Sequence, residues 1–315
     1  METSAAVPAA PTSRVNLSFA ALAPAVFVLL WSTGFIASKY GLPYAEPFTY
    51  LSIRFILAGG LLLGIALVTR ASWPKTRAEW LHIGISGVLL HGVYLSGVFH
   101  AIHLGLPAGI ASLIVNLSPV LTSIFAQILL KERVVTRQWL GLALGLIGVS
   151  LVIGEKLFLT GAAAGGFPAL ALIPAVIGLL GTALGTIYQK RHSAGMNIAT
   201  GTIIQYLGGG LITGVGMFLF ETRAVQWTPS FIFAMSWQVL VLSIGAIWLL
   251  MVLIRQNSAS RLSSLFYLVP PLTALEAYLL FNEQLGWVAI VGMAIVVVGV
   301  ILVVRPAKPQ PAPGA

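Results

Sequence analysis

The sequence predicts an all-α integral membrane protein with ten transmembrane helices arranged as two inverted five-helix repeats. Three observations lead there: a composition too apolar for water, ten apolar blocks of spanning length, and an internal repeat that holds an odd number of those blocks. Of the 315 residues 58% are hydrophobic and 8% charged, and the mean hydropathy is +0.98. A soluble domain carries roughly 25% Asp, Glu, Lys and Arg. Seventeen Lys and Arg with eight acidic residues cannot cover the exterior of a soluble chain this long, so the exterior faces lipid. The absence of cysteine excludes a disulfide scaffold, and the apolar excess excludes a disordered chain. Nor is the net charge of +9 a nucleic-acid footprint, because the cations stand singly or in threes between apolar blocks.

A helix that crosses a bilayer needs ~20 mostly apolar residues. The qualifying blocks are residues 21–40, 49–69, 79–102, 107–130, 138–154, 168–188, 199–220, 231–253, 260–281 and 286–304. They lack period-two alternation, which argues against a barrel. The polar head shows no small-residue cleavage site after an apolar core, so it does not read as a signal peptide, and the tail, KPQPAPGA, is rich in proline. Positively charged loops face the cytoplasm. With the N-terminus inside, Arg14, Arg70, Lys75, Arg77, Lys131, Arg133, Arg137, Lys190, Arg191, Arg255, Arg261, Arg305 and Lys308 all fall on the cytoplasmic side. Only Lys39, Lys156 and Arg223 fall outside, and Arg54 lies within a span. Both termini are therefore expected in the cytoplasm. The expected order is a cytoplasmic tail (1–20), a first repeat (21–154), an external linker (155–167), a second repeat (168–304) and a second cytoplasmic tail (305–315).

The repeat appears on self-comparison. Ser112–Ile153 aligns without gaps to Ser263–Val304 at an offset of 151, with 14 identities in 42 positions. Among them are Pro119/Pro270, Thr122/Thr273, Glu132/Glu283, Gly141/Gly292 and Gly148/Gly299, which shared apolarity alone does not explain. The same offset pairs Ile53 with Ile204 and Gly59 with Gly210, and sets Arg54 opposite Gln205. Five spans per copy is an odd number, so the second copy must enter the membrane with opposite polarity. The loops agree: the first reads Lys131-Glu132-Arg133 and its copy reads Phe281-Asn282-Glu283, in which the glutamate is kept and both cations are absent. Inverted repeats characterise proteins that expose a central site to each side in turn.

Four stretches carry a family resemblance: VLLWSTGFIASKYGL, RFILAGGLLL, PAGIASLIVNLSPVLTSIFAQILLKE and SASRLSSLFYLVPPLTALEAYLLFNE. The chain resembles the EamA domains of the drug/metabolite transporter superfamily over both halves, about residues 21–304. The resemblance implies a ten-helix inverted-repeat transporter with cytoplasmic termini, a central cavity between the halves, and peripheral fifth and tenth spans. One departure is Trp31-Ser32, where family members often have Trp-Gly.

Ionisable groups inside a bilayer cost ~2.5–3.5 kcal/mol at a helix centre and are functional candidates by default. Glu276, in LTALEAYLLF, is expected to accept a proton or bind a cation; its repeat mate is Phe125, so the acid is not part of the shared scaffold. The alternative is a carboxylate paired with a cation or reaching the headgroups. Arg54 could neutralise Glu276, grip a substrate carboxylate through its planar fork, or serve as a structural anchor. Span three carries His82, His91 and His100, with His103 following. Helical spacing puts His82 and His100 on one face and His91 opposite. His91 is the mid-membrane candidate for titration, and a neutral buried histidine is the plainer reading. His100 and His103 have a ligand-like spacing without a third ligand, so no metal site is expected. Trp31, Tyr94, Asn116, Gln205, Tyr206, Trp248 and Tyr267 complete the candidate lining, suited to an amphipathic organic solute. Glu132 and Glu283 read as structural caps or hinge anchors. Pro119 and Pro270 break spans four and nine at matching places, where freed carbonyls can border a cavity.

No phosphate loop, HExxH helix or Gly-x-Ser-x-Gly elbow is present. The expected function is secondary transport, export of small organic metabolites such as amino acids, with no cofactor and with coupling to a proton or another ion possible in principle. Export of lipophilic cations is the alternative within that class. A membrane enzyme or lipid scramblase would need acids converging on one site, and a channel would need charge rings or a filter loop. The expected location is a bacterial inner membrane, with lipid and a small solute as partners, no nucleic acid, and the oligomeric state open.

Overall fold

The computed structural model describes residues 17–130, 136–155, 167–249, 253 and 266–304. Glu132 lies outside the described residues, as does the side chain of Tyr267. Twelve α-helices organise the described chain: α1 Leu17–Gly41, α2 Pro47–Val68, α3 Arg77–Gly87, α4 Tyr94–His103, α5 Ala108–Val115, α6 Ser118–Leu130, α7 Thr136–Gly154, α8 Leu172–His192, α9 Ile198–Phe220, α10 Pro229–Ser236, α11 Val269–Phe281 and α12 Trp287–Val304. Six helical stretches are long and apolar enough to cross a bilayer: Leu22–Tyr44, Pro47–Val68, Arg77–His103, Ala169–His192, Ile198–Phe220 and Pro229–Leu249. Four shorter apolar helices, Ala108–Thr122, Trp139–Gly154, Val269–Phe281 and Trp287–Leu302, fall on the remaining expected blocks. A helix buries its backbone polar groups in its own hydrogen bonds, which is why helices are the form these apolar runs take in lipid. Large side chains lie on the outside, Ile56, Val68, Phe220 and Trp287 among them, as a lipid-facing exterior requires.

Helix starts are written locally. Thr76 and Glu79 form a reciprocal capping box on α3, Asn197 caps α9 through the amides of Ala199 and Thr200, and Thr228 caps α10. Glu46 holds the N-cap position of α2 without capping it; its carboxylate reaches across to the loop after α9. The matched prolines do not kink continuous helices. The stretch expected as span four breaks at Asn116–Leu117, and Pro119 then sits in the first turn of α6; the stretch expected as span nine carries a tight turn, Phe266–Leu268, and Pro270 sits in the first turn of α11. Proline is suited to a first turn because its missing N–H has no intrahelical partner there. Leu117 and Leu268 are repeat mates, so the two interruptions correspond.

Repeat mates also pack on one another. The α7–α12 pair makes the most extensive helix contact of the described residues. A methyl group on Gly292 would meet the Gly148 carbonyl oxygen at 2.6 Å, and one on Gly299 would meet that of Gly141 at 2.7 Å. Only glycine allows this backbone approach. Position 148 beside 292 and 141 beside 299 means that the helices run antiparallel. The pair α2 and α9 does the same, with Phe48 against Gly216, Ser52 bonded to Thr213 at 3.0 Å, and Phe55 stacked on Tyr206 at 5.2 Å.

Two π-helical stretches, Val88–Val93 and Trp237–Ala246, interrupt the third span of each copy. At the repeat offset of 151 they overlap. Because the first lies between His82 and His100, α-helical phase is not carried from one to the other. His82 bonds the Tyr188 hydroxyl of α8 at 2.8 Å, while His100 packs on Phe48 of α2 with centroids 4.4 Å apart. The expectation that these two histidines share a face is corrected accordingly.

Candidate functional site

A cavity of about 130 Å³ lies between α1, α2, the third span and the opposing helices α9 and Trp237–Ala246. Both repeats therefore contribute to its wall. Trp31, Arg54, His91, Tyr94 and Tyr206 from the sequence candidates line it, together with Ser38 and Gln238. Arg54 is the charged member. Its residue is 9% exposed, Nη2 donates to the Ser243 hydroxyl at a long 3.4 Å, and Nε has no partner. Among the described residues no carboxylate pairs with it, and Glu283 bridges instead to Lys39. A buried guanidinium with unspent donors is costly in isolation and is poised to take an anionic group.

The surrounding groups are held in place by packing. Tyr206 stacks on Phe55 and meets His91 edge-on, with centroids 4.9 Å apart. Nδ1 of His91 is buried without a partner. Gln238, only 1% exposed, donates through Nε2 to the Gly34 carbonyl at 3.0 Å and leaves Oε1 without a partner. Ser243, which holds Arg54, itself lies 3.0 Å from the carbonyl of Gln238, five residues back, an arrangement that the π-helical stretch creates. Insertions of this kind recur at functional sites. Trp31 packs edge-on against Phe266 at 5.5 Å and tilted against Phe27 at 5.4 Å, which fixes its ring at the wall.

Glu276 sits apart from this cavity. It faces α1 from α11, where Oε1 lies 2.7 Å from the Ser32 hydroxyl, and Oε2 is buried without a partner. The same hydroxyl is 2.8 Å from the Leu29 carbonyl. Ser32 has one proton and two acceptors, so the site accommodates either state of the acid: ionised, it accepts from Ser32; protonated, it can donate to Ser32 while Ser32 donates to Leu29. Trp31 and Ser32 are consecutive on α1, so one helix carries both the cavity wall and the partner of Glu276.

The remaining candidates lie elsewhere. Gln205 is buried and donates to the Ser86 hydroxyl at 3.0 Å, joining α9 to α3. Asn116 donates to the Ser112 carbonyl at 2.8 Å and satisfies the break in span four. Trp248 is 59% exposed. Glu283 bridges to Lys39 and also accepts from the Ala108 amide at 3.3 Å, while Asn282 before it closes α11 in the left-handed conformation. Gln238 and Ser243 were not singled out by sequence, and Ser32 was noted only as a departure from Trp-Gly. The available signal was a polar residue inside an apolar block, which Gln238 and Ser243 share in MSWQVLVLS.

The end of the bundle near α2 and α9 is tied across the repeats. Ala45 and Val225 form an antiparallel bridge, and the Gln226 amide donates to the Tyr44 carbonyl at 2.9 Å. Glu46 accepts from the Thr222 amide and hydroxyl at 2.7 and 2.6 Å. In exchange, Glu221 accepts from the amides of Phe48 and Thr49 at 2.7 Å each and caps α2 from the other repeat. The Thr222 hydroxyl holds the Glu46 carboxyl below its ordinary range, with the Thr222 and Arg223 amides adding to this against a smaller desolvation effect.

Comparison with known proteins agrees with this architecture. The profile of the EamA-like transporter family matches the chain twice, at residues 18–154 and 169–305. The transporter YvbV of Bacillus subtilis, itself uncharacterized, is 28% identical over 303 residues, covering 93% of each chain. The uncharacterized inner membrane transporter YedA of Escherichia coli K12 is 28% identical over 291 residues, 90% of this chain and 92% of YedA. A probable amino-acid metabolite efflux pump of Salmonella typhimurium is 31% identical over 130 residues, 41% of each chain. A crystal structure superposes with a TM-score of 0.62 at 22% identity, covering 90% of this chain and 96% of its own, and shares the fold. Two matched segments that together span nearly the whole chain place it among multi-pass membrane transporters: the protein belongs to the EamA-like transporter family.

Proposed function

We propose that this protein is a secondary exporter of small organic metabolites, such as amino acids and related solutes, working by alternating access between two inverted five-span repeats. The observation that carries the reading is Arg54, a buried guanidinium with unspent donors on the wall of a cavity built by both repeats. Its planar fork suits a carboxylate, and Trp31, Tyr94 and Tyr206 supply apolar faces for the rest of a small solute. A lipophilic cation fits less well, because Arg54 would repel it and Glu276 does not line this cavity. Antiparallel packing of α2 on α9 and of α7 on α12 supports the inversion, and the four shorter apolar helices support ten spans. Residues 21–154 and 168–304 are then the moving halves, with 155–167 as an external linker and both termini in the cytoplasm of a bacterial inner membrane.

In this mechanism the tie between the loops at Ala45 and Val225 closes the outer end while the solute is exchanged inside. Glu276 carries the coupling proton, exchanging donor roles with Ser32 on the same helix that positions Trp31. Counterflow of labelled amino acids in liposomes holding the purified chain tests the proposal. Exchange above protein-free vesicles is expected. Lipid flipping without solute exchange would assign the chain to a different class.

A further inference from the structure

At the opposite end of the bundle from the Ala45–Val225 tie, a groove of about 460 Å³ opens between the loop after α2 and the loop joining α8 to α9. Each repeat supplies one side. The two sides are joined where the Thr200 hydroxyl donates to the Ser72 carbonyl at 2.8 Å. The wall carries Trp73, Lys75, Glu79, His192, Ser193 and Asn197.

The polar groups of this groove are unevenly committed. Two of its acceptors are engaged: Glu79 Oε2 takes the amides of Lys75 and Thr76 at 2.7 and 3.4 Å. The Asn197 carbonyl oxygen takes those of Ala199 and Thr200 at 3.1 and 3.4 Å. Its donors are not. Ser193 is 5% exposed, and its hydroxyl is buried with no partner. The Lys75 ammonium, the His192 ring and the Asn197 amide nitrogen are further donors on the same wall. Arg70, Arg77, Lys190 and Arg191 stand exposed on the flanking residues, and Glu79 is the acid on this wall among the described residues. A pocket of unspent donors in a basic rim is built for an anion.

Depth in the membrane identifies the anion's source. Trp73 and Trp80 stack at the mouth, with centroids 5.8 Å apart and planes 6° from parallel, both about 40% exposed. The Trp80 ring nitrogen donates to the Pro74 carbonyl at 3.1 Å. Paired exposed indoles at the ends of spanning helices mark the headgroup level, and basic pockets between helices there receive anionic lipid. We propose that this groove binds the phosphate of an anionic phospholipid headgroup, gripped by Lys75, Ser193 and His192, and that the lipid thereby joins the ends of the two repeats.

The test is binding by the purified full chain, read by native mass spectrometry and independent of transport. Phosphatidylglycerol, phosphatidylcholine and inorganic phosphate are titrated separately against the natural protein, Lys75→Gln/His192→Gln and Ser193→Ala. Arg223→Gln removes an exposed cation at the other end as a control. Saturable binding of phosphatidylglycerol over phosphatidylcholine is expected. It should weaken about tenfold in the double variant, less in Ser193→Ala, and not at all in the control. Equal retention in the double variant, or equal loss in the control, overturns the site. Inorganic phosphate competing at the concentration of the lipid overturns the lipid as its source.

Discussion

Arg54 and Glu276 both lie on apolar helices, yet they do not neutralise each other. The arginine faces the cavity beside Ser243, and the glutamate faces Ser32 on α1. Removing one partner of a buried charge pair costs ~2–5 kcal/mol, so if Arg54 holds a substrate carboxylate, Arg54→Met should lower solute counterflow by at least about 30-fold. Arg54→Lys should recover little, because an ammonium cannot reproduce the bidentate fork. Transport at the natural rate in Arg54→Lys would leave the residue with a point-charge role only. Glu276→Gln preserves shape and hydrogen bonding to Ser32 while removing the proton site. Its exchange of solute between equal pools should continue, and accumulation driven by a pH gradient should vanish. Both measurements use the same vesicles.

At the scale of elements, the helix contacts are set by glycine and the helix ends by exchanged carboxylates. Replacing Gly292 with leucine forces a side chain into the Gly148 carbonyl. Overpacking of this kind costs ~1–3 kcal/mol, so the variant should melt several degrees lower in detergent, as followed by thermal unfolding. Gly60→Leu should not, because nothing lies within 4 Å of that position. The Glu46–Thr222 contact depends on pH in a defined direction. Its carboxyl is held below the ordinary range, so the contact contributes above the unfolded glutamate value, about 4.3, and is lost as pH falls through the lower folded value. The effect is modest because the group is exposed. Glu46→Gln should flatten the acid limb of the melting profile below about pH 4.3 and leave the neutral plateau little changed.

For the whole molecule, alternation requires the two repeats to part at one end and then the other. Directly opposed residues in an antiparallel bridge lie ~4.5–5.5 Å apart at Cα, within the range a disulfide spans. The native chain has no cysteine, so Ala45→Cys/Val225→Cys introduces a single cross-link across the tie. Oxidation should stop counterflow and reduction should restore it, with each single cysteine variant indifferent to both. Undiminished transport in the cross-linked protein would mean that this end need not open.

Much of the architecture was legible because lipid leaves the chain few choices: apolar blocks of spanning length become helices. The repeat was legible too, since Pro119/Pro270, Gly141/Gly292 and Gly148/Gly299 recur for backbone reasons that sequence displays. The placement of polar side chains was not. Asn116 and Gln205 looked like cavity groups and instead satisfy a helix break and a helix contact. Gln238 and Ser243 drew no notice because the π-helical stretch that turns them together has no pattern in composition or period. Sequence alone thus determined a membrane fold made of two copies, because burial energy and charge position are properties of each residue along the chain. Which donors and acceptors are left unspent, around Arg54 and around Ser193, was decided only by the tertiary structure, because a hydrogen bond depends on which helices meet.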